Sequence, residues 1–288
     1  VNTVLRAYSW RKLLLLTAVL YLLNLLTGWI FEPGLSVPGA SALSLAAGLA
    51  GEALIQSAVL LELVRRSTWR GWPLGLGVFL VYFGVVSFLT WVESLFFLSL
   101  FVHKMTPLQV HLGLARGLVV AACVGVLAAA LAGPPRNAVS ENPAAAGLPG
   151  HRVFGWVFRL SGVALLYVVI FFLFGMFVAV PLAGEEFHKF YGDLQPGAWI
   201  LFLEVGRGLG WALVAVLIVR MVDLERGGAA LLAGLTFSLL LGALLVSPNP
   251  IIPERLRWSH FVEIVSENFI FGWLTVRLLT RRVRGGAP

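Results

Sequence analysis

Long apolar runs recur along the chain, broken by short polar stretches that hold most of the arginines, prolines and glycines. A run of ~20 apolar residues is enough to cross ~30 Å of hydrocarbon as a helix. Eight such runs are expected, over residues 11–31, 42–64, 73–101, 107–132, 154–181, 196–221, 228–247 and 257–279. The first resembles a signal peptide in having basic residues ahead of it, but its apolar stretch is too long for that role. The pattern predicts an all-α, polytopic transmembrane helical bundle.

Charge at the ends of the runs gives an orientation. Arg6, Arg11 and Lys12 precede the first span, and Arg65, Arg66 and Arg70 lie between the second and third. Arg136, Arg152 and Arg159 flank the central loop, Arg220 and Arg226 lie between spans six and seven, and Arg277, Arg281, Arg282 and Arg284 close the chain. The opposite loops hold only Lys104, Lys189, Arg255 and Arg257. Positive charge collects on the cytoplasmic side, so both termini are expected there. Glu32-Pro33, the loop from Gly184 to Asp193 and Pro248-Asn249-Pro250 then face outward. Arginine-rich usage and a first residue of Val fit a GTG start in a GC-rich prokaryote. The expected location is therefore a prokaryotic cytoplasmic membrane.

Composition agrees. The chain has 288 residues, 59% of them hydrophobic and only 12% charged, against about a quarter charged in soluble domains. The net charge of +7 lies at span ends, as topology determinants do, and does not point to nucleic acid. The expected partner is the lipid bilayer, with a small solute or a lipid-linked substrate. One cysteine, Cys123, excludes an intramolecular disulfide.

The two halves look alike. Ala18-Val-Leu-Tyr21 matches Ala164-Leu-Leu-Tyr167, Arg70-Gly71 matches Arg226-Gly227, and His111 opens the fourth span as His260 opens the eighth. Gly77 and Gly84 roughly match Gly234 and Gly242, one residue out of step. The reading is a tandem parallel repeat: four spans in 1–132, a cytoplasmic linker in 133–153 rich in Pro and Gly, and four spans in 154–288.

The chemistry lies in the polar residues inside the runs. These are Asn24, Glu52, Gln56, Glu93, His111, Arg116, Glu204, Arg207, His260, Glu263, Glu267 and Asn268. Counting at ~1.5 Å per residue puts all of them between the outer surface and the midplane. The expectation is one outward-facing intramembrane site. His260, Glu263 and Glu267 share a helix stripe, and Glu204 and Arg207 can pair at i, i+3. Five carboxylates face two guanidiniums. A surplus of about three carboxylates needs protons, a bound cation or histidine partners to be tolerated in low dielectric. His260, Glu263 and Glu267 are candidate metal ligands, for a transition metal such as zinc, iron or manganese.

Catalytic signatures are missing: no His-Glu-x-x-His helix, no Gly-x-Ser-x-Gly elbow and no phosphate loop. Glu185-Glu186 lacks the following arginine of the CAAX-processing type of intramembrane protease. Val81-Tyr-Phe-Gly-Val-Val-Ser-Phe-Leu-Thr-Trp-Val-Glu93 and His260-Phe-Val-Glu-Ile-Val-Ser-Glu-Asn-Phe-Ile-Phe-Gly272 resemble segments of a group of bacterial eight-span membrane proteins. That resemblance singles out Glu93, His260, Glu263 and Asn268 and implies no mechanism. The leading expectation is a proton- or cation-coupled transporter of a small solute. The alternatives are an intramembrane enzyme acting on a lipid-linked substrate at the outer leaflet, and an accessory subunit whose polar stripes bind partner helices.

Overall fold

The computed structural model describes residues 10–31, 37, 39–96, 106–132, 142–150, 153–192 and 197–281. Arg6, Glu32, Pro33, His103, Lys104, Arg136, Arg152, Asp193, Arg282 and Arg284 lie outside them, as do residues 97–101 of the expected third span and 133–141 of the linker. Among the described residues the fold is helical, with one isolated β-bridge.

The helices are α1 (Trp10–Phe31), α2 (Ala42–Arg66), α3 (Gly71–Phe96), α4 (Pro107–Leu131), α5 (Val153–Ala183), α6 (Glu185–Tyr191), α7 (Trp199–Met221), α8 (Arg226–Leu245) and α9 (Glu254–Leu279). Seven of them, α1 to α5 with α7 and α8, are long and apolar enough to cross a membrane. At 26 residues α9 is long enough, but it carries Glu254, Arg255, Arg257, Glu263, Glu267 and Arg277. Leucine and phenylalanine side chains such as Leu14, Leu22, Phe158, Phe202 and Leu213 stand exposed on the bundle's outer surface. That arrangement suits contact with lipid, where such side chains gain nothing from being inside.

Local chemistry sets the helix ends. Ser41 caps α2 by accepting from the Ser44 amide. Thr106 and Gln109 form a reciprocal capping box at α4, with Pro107 in the first turn, where its missing N–H costs nothing. Gly184 and Gly192, both at φ +60°, bracket the seven-residue α6. This left-handed backbone favours glycine. Two spans contain a wider π-helical turn, Phe83–Phe88 in α3 and Gly175–Ala179 in α5. Such turns insert a residue into a helix and often lie at functional sites.

The packing has a regular plan. α1 packs on α2 and α4, and α3 packs on α4. In the same way α5 packs on α7 and α9, and α8 packs on α9. Between these groups, α2 meets α8 and α3 meets α7. Glycines let the tightest pairs approach. A Cβ on Gly75 of α3 would sit 2.9 Å from the Gly125 carbonyl oxygen of α4, and one on Gly125 would sit 2.6 Å from that of Gly75. On α9, a Cβ at Gly272 would meet the Gly234 Cα of α8 at 3.0 Å.

α9 runs antiparallel along the whole of α8. Arg226 at the start of α8 donates to the Arg277 carbonyl. Gly234 lies against Phe269, Gly242 lies against Val265, and Arg257 donates to the Leu245 carbonyl at the far end. Gly77 and Gly84 do something else, facing Met221 and Val214 of α7. The closest backbone approaches between helices of this kind are thus Gly75 with Gly125 and Gly234 with Gly272.

One end of the bundle collects basic residues and chain crossings. Arg159 donates to the carbonyls of Gly147, Leu279 and Arg281, and Asn142 donates to that of Val219. At the same end Ser67, just past α2, bridges Val222, just past α7. The bridge is reciprocal: the Thr68 amide donates to the Met221 carbonyl at 2.7 Å, and the Asp223 amide donates to the Arg66 carbonyl at 3.0 Å.

Candidate functional site

The polar residues expected to share one pocket sort by their contacts into two sets, one among α1 to α4 and one centred on α5, α7 and α9.

In the first set, the buried Tyr82 hydroxyl donates to Gln56 Oε1 at 2.7 Å, and Gln56 Nε2 donates to Glu52 Oε1 at 3.3 Å. Glu52 and Gln56 are one turn apart on α2, so the amide bridges the tyrosine to the carboxylate. Arg116 of α4 lies within electrostatic reach of Glu52. It also donates from Nε to Thr27 Oγ1 and from Nη2 to the Asn24 carbonyl, both at 3.2 Å. One carboxylate with one guanidinium leaves this set close to neutral.

The second set is built round Arg207. Its Nη1 donates to Glu204 Oε2 at 2.8 Å, one turn earlier on α7. Its Nη2 reaches Glu93 Oε2 at 2.7 Å, across from α3. Glu93 therefore pairs across two helices, α3 and α7. The guanidinium carbon lies 5.5 Å from the Tyr167 ring centre and 5.8 Å from that of Phe171, within the range of a cation–π contact. Glu204 is fully buried, and its Oε1 has no hydrogen-bond partner among the described residues. Arg207 Nε, Trp211 Nε1 and Asn268 Oδ1 are buried and unpartnered in the same way.

From α9, Glu267 is 4% exposed and lies within electrostatic reach of Glu263, Arg207, Glu93 and Glu204. Glu263 accepts from His260 Nδ1 at 2.6 Å through Oε2. Its Oε1 faces Gly175, in the π turn of α5, where an added Cβ would stand 3.6 Å away. His260 Nε2 lies 2.9 Å from the Tyr191 hydroxyl at the end of α6. With Tyr191 as donor, Nδ1 carries the imidazole proton and gives it to the Glu263 carboxylate. Burial and the nearby Glu93 and Glu263 carboxylates push the Tyr191 phenol above its ordinary value, so it stays a donor. The set thus contains four carboxylates, one arginine and one histidine.

Two expected members take no part in bridging helices. His111 is exposed and its Nδ1 contacts the Pro107 carbonyl of its own helix at 2.6 Å. Asn268 Nδ2 donates to the Ile264 carbonyl one turn back on α9. Among the described residues no three His, Cys, Asp or Glu side chains are arranged to hold a metal ion, His260, Glu263 and Glu267 included. Sequence reasoning missed Tyr82, Tyr167, Tyr191 and Trp211. For Tyr191 a signal was present: aromatic residues at Phe187 and Tyr191, i, i+4, between two glycines. Set beside protein-family models, curated proteins and solved structures, the chain matches none.

Proposed function

We propose that the chain is an eight-span protein of a prokaryotic cytoplasmic membrane, with both termini inside, and that it couples movement of a small solute to protons or another cation. The eighth span is α9. It lies against α8 from end to end, so it covers the same depth as a helix apolar enough to cross. The halves are read as tandem parallel repeats, 1–132 and 154–288, joined by the linker 133–153. The matched packing of α1 to α4 and of α5 with α7 to α9 supports this. So does the bridge at Ser67 and Val222. Its two hydrogen bonds exchange when the ends of α2 and α7 are exchanged. Clustering of Arg65, Arg66, Arg159, Arg226 and Arg277 at that end supports a cytoplasmic face there.

The observation that carries the transporter reading is the composition of the second set. Glu93, Glu204 and Glu267 surround a single guanidinium, and Glu263 lies within electrostatic reach of Glu267. An ionised carboxylate at the centre of a helix in a bilayer costs about 2.5–3.5 kcal/mol on insertion scales. The surplus negative charge therefore has to be met by protons or by a cation that comes and goes. A site that changes its load in this way, at the meeting of two repeats, is the working part of a coupled carrier. Glu93 comes from the first half and Arg207 from the second, so relative motion of the halves would make or break their ion pair.

Purified protein in liposomes with an internal pH dye tests this. Solute-dependent proton flux is expected in the wild type, and its loss is expected in Glu263→Gln and in Glu204→Gln, with membrane insertion unchanged. Undiminished flux in both variants would sink the reading.

A further inference from the structure

We propose that the solute of the Arg207 set is a protonated amine, a small organic cation, rather than a metal ion or an anion. The proposal rests on the transporter reading of the same site.

Charge comes first. Arg207 spends Nη1 on Glu204 Oε2 and Nη2 on Glu93 Oε2. What remains on the carboxylates and the Asn268 amide is acceptor capacity. Glu204 Oε1 and Asn268 Oδ1 are unpartnered although their residues are 0% and 4% exposed. Glu267, equally buried, adds a carboxylate within electrostatic reach of Glu204. These acceptors come from α7 and α9, which pack against each other. A primary ammonium offers three N–H donors in a compact head, as a lysine side chain does. An anion would meet the same surplus carboxylates as repulsion.

The walls distinguish an organic cation from a metal ion. Calcium takes six to eight oxygen ligands and zinc commonly takes four protein donors. Among the described residues no three acidic, His or Cys side chains form such a group. The surroundings are aromatic instead. Tyr167 and Phe171 already hold the Arg207 guanidinium against their faces. Tyr167 meets Phe271 edge-on at 4.9 Å, and Phe237 stacks on Phe271 and tilts against Trp211. Aromatic faces beside carboxylates are how organic ammonium groups are recognised. The unpartnered donors Arg207 Nε and Trp211 Nε1 fit a hydroxyl or carbonyl oxygen on the same molecule.

Calorimetric titration of the purified protein tests the class with four probes: propanolamine, tetramethylammonium, butanol and propionate. Propanolamine is expected to bind, butanol and propionate are not, and tetramethylammonium, which has charge but no N–H donor, is expected to bind at least tenfold more weakly. Glu267→Gln should weaken propanolamine at least tenfold. Phe171→Leu, at a half-buried ring, should weaken both cations and serves as the second variant should Glu267→Gln fail to fold. Binding of butanol or propionate as tight as that of propanolamine, or unchanged amine affinity in the folded variants, overturns the proposal. The two readings fail separately. If no amine binds while Glu263→Gln and Glu204→Gln still abolish coupled flux, the solute class is wrong and the carrier stands. If propanolamine binds but moves no protons in liposomes, the amine site stands and the carrier does not.

Discussion

Arg207 is the residue whose removal costs most. Its partners Glu204 and Glu93 come from its own helix and from α3, and Glu204 is wholly buried. Breaking a buried pair by deleting one partner costs about 3–5 kcal/mol, because the other charge stays behind unpaired. Arg207→Ala should therefore lower the thermal unfolding midpoint sharply. The triple variant Arg207→Met with Glu204→Gln and Glu93→Gln should recover much of the loss, since it leaves neither partner's charge stranded. A single Arg207→Ala as stable as the wild type would show that the pair is solvated. The pairing of Glu204 with Arg207 was legible in the sequence, because i, i+3 spacing makes neighbours on any helix. The pairing of Arg207 with Glu93 was not, since it depends on which helices touch. Tyr191 was harder still. Read as part of a hydrated loop, it instead closes a hydrogen-bonded line through His260 to Glu263. Replacing it with Phe should leave the fold intact and remove the donor to His260 Nε2, which a changed Nε2 chemical shift would report. An unmoved Nε2 chemical shift would show that the contact carries no weight.

The long helices were the most legible elements, because hydropathy over some twenty residues is insensitive to small errors in detail. Their interruptions were not. Nothing in the composition of Phe83–Phe88 or Gly175–Ala179 marks a π turn, which reflects a balance between helix geometry and neighbours rather than a local preference. The crossing points were not legible, because sequence spacing does not say which glycines meet across two helices. Gly75 and Gly125 touch backbone to backbone, and the volume of a side chain is not available there. Gly125→Val should push α3 from α4 and cost about 1–3 kcal/mol, the usual range for overpacking. Gly206→Ala on α7, where a Cβ meets nothing within 4 Å, should be neutral or slightly stabilising. Measuring both by thermal unfolding separates a packing effect from a general dislike of side chains at glycine. Equal losses at the two sites would contradict the crossing.

At the scale of the molecule, the division of the buried polar residues between two sets matters more than their number. One pocket was the natural expectation when every residue was placed only by depth, since depth says nothing about which helices are neighbours. Neighbours sort Glu52 with Arg116 within the first half, where charge balances, and gather the surplus carboxylates, Glu93 of the first half among them, round α7 and α9. If the halves are repeats, the first has kept a balanced interior, and the unbalanced, working set lies where the two meet. Their junction at Ser67 and Val222 offers a direct test of the arrangement. The two hydrogen bonds flank this residue pair, which is the geometry of the closely spaced antiparallel pair, with Cα atoms about 4.5 Å apart. That separation falls within the ~4.4–6.8 Å a disulfide can span. With Cys123 changed to Ser, the double variant Ser67→Cys, Val222→Cys should form a disulfide under mild oxidation. A protease site placed in the linker should then yield halves that migrate together on a denaturing gel until reductant is added. Separate halves before reduction would mean that α2 and α7 do not end side by side, and that the two bundles meet in some other way.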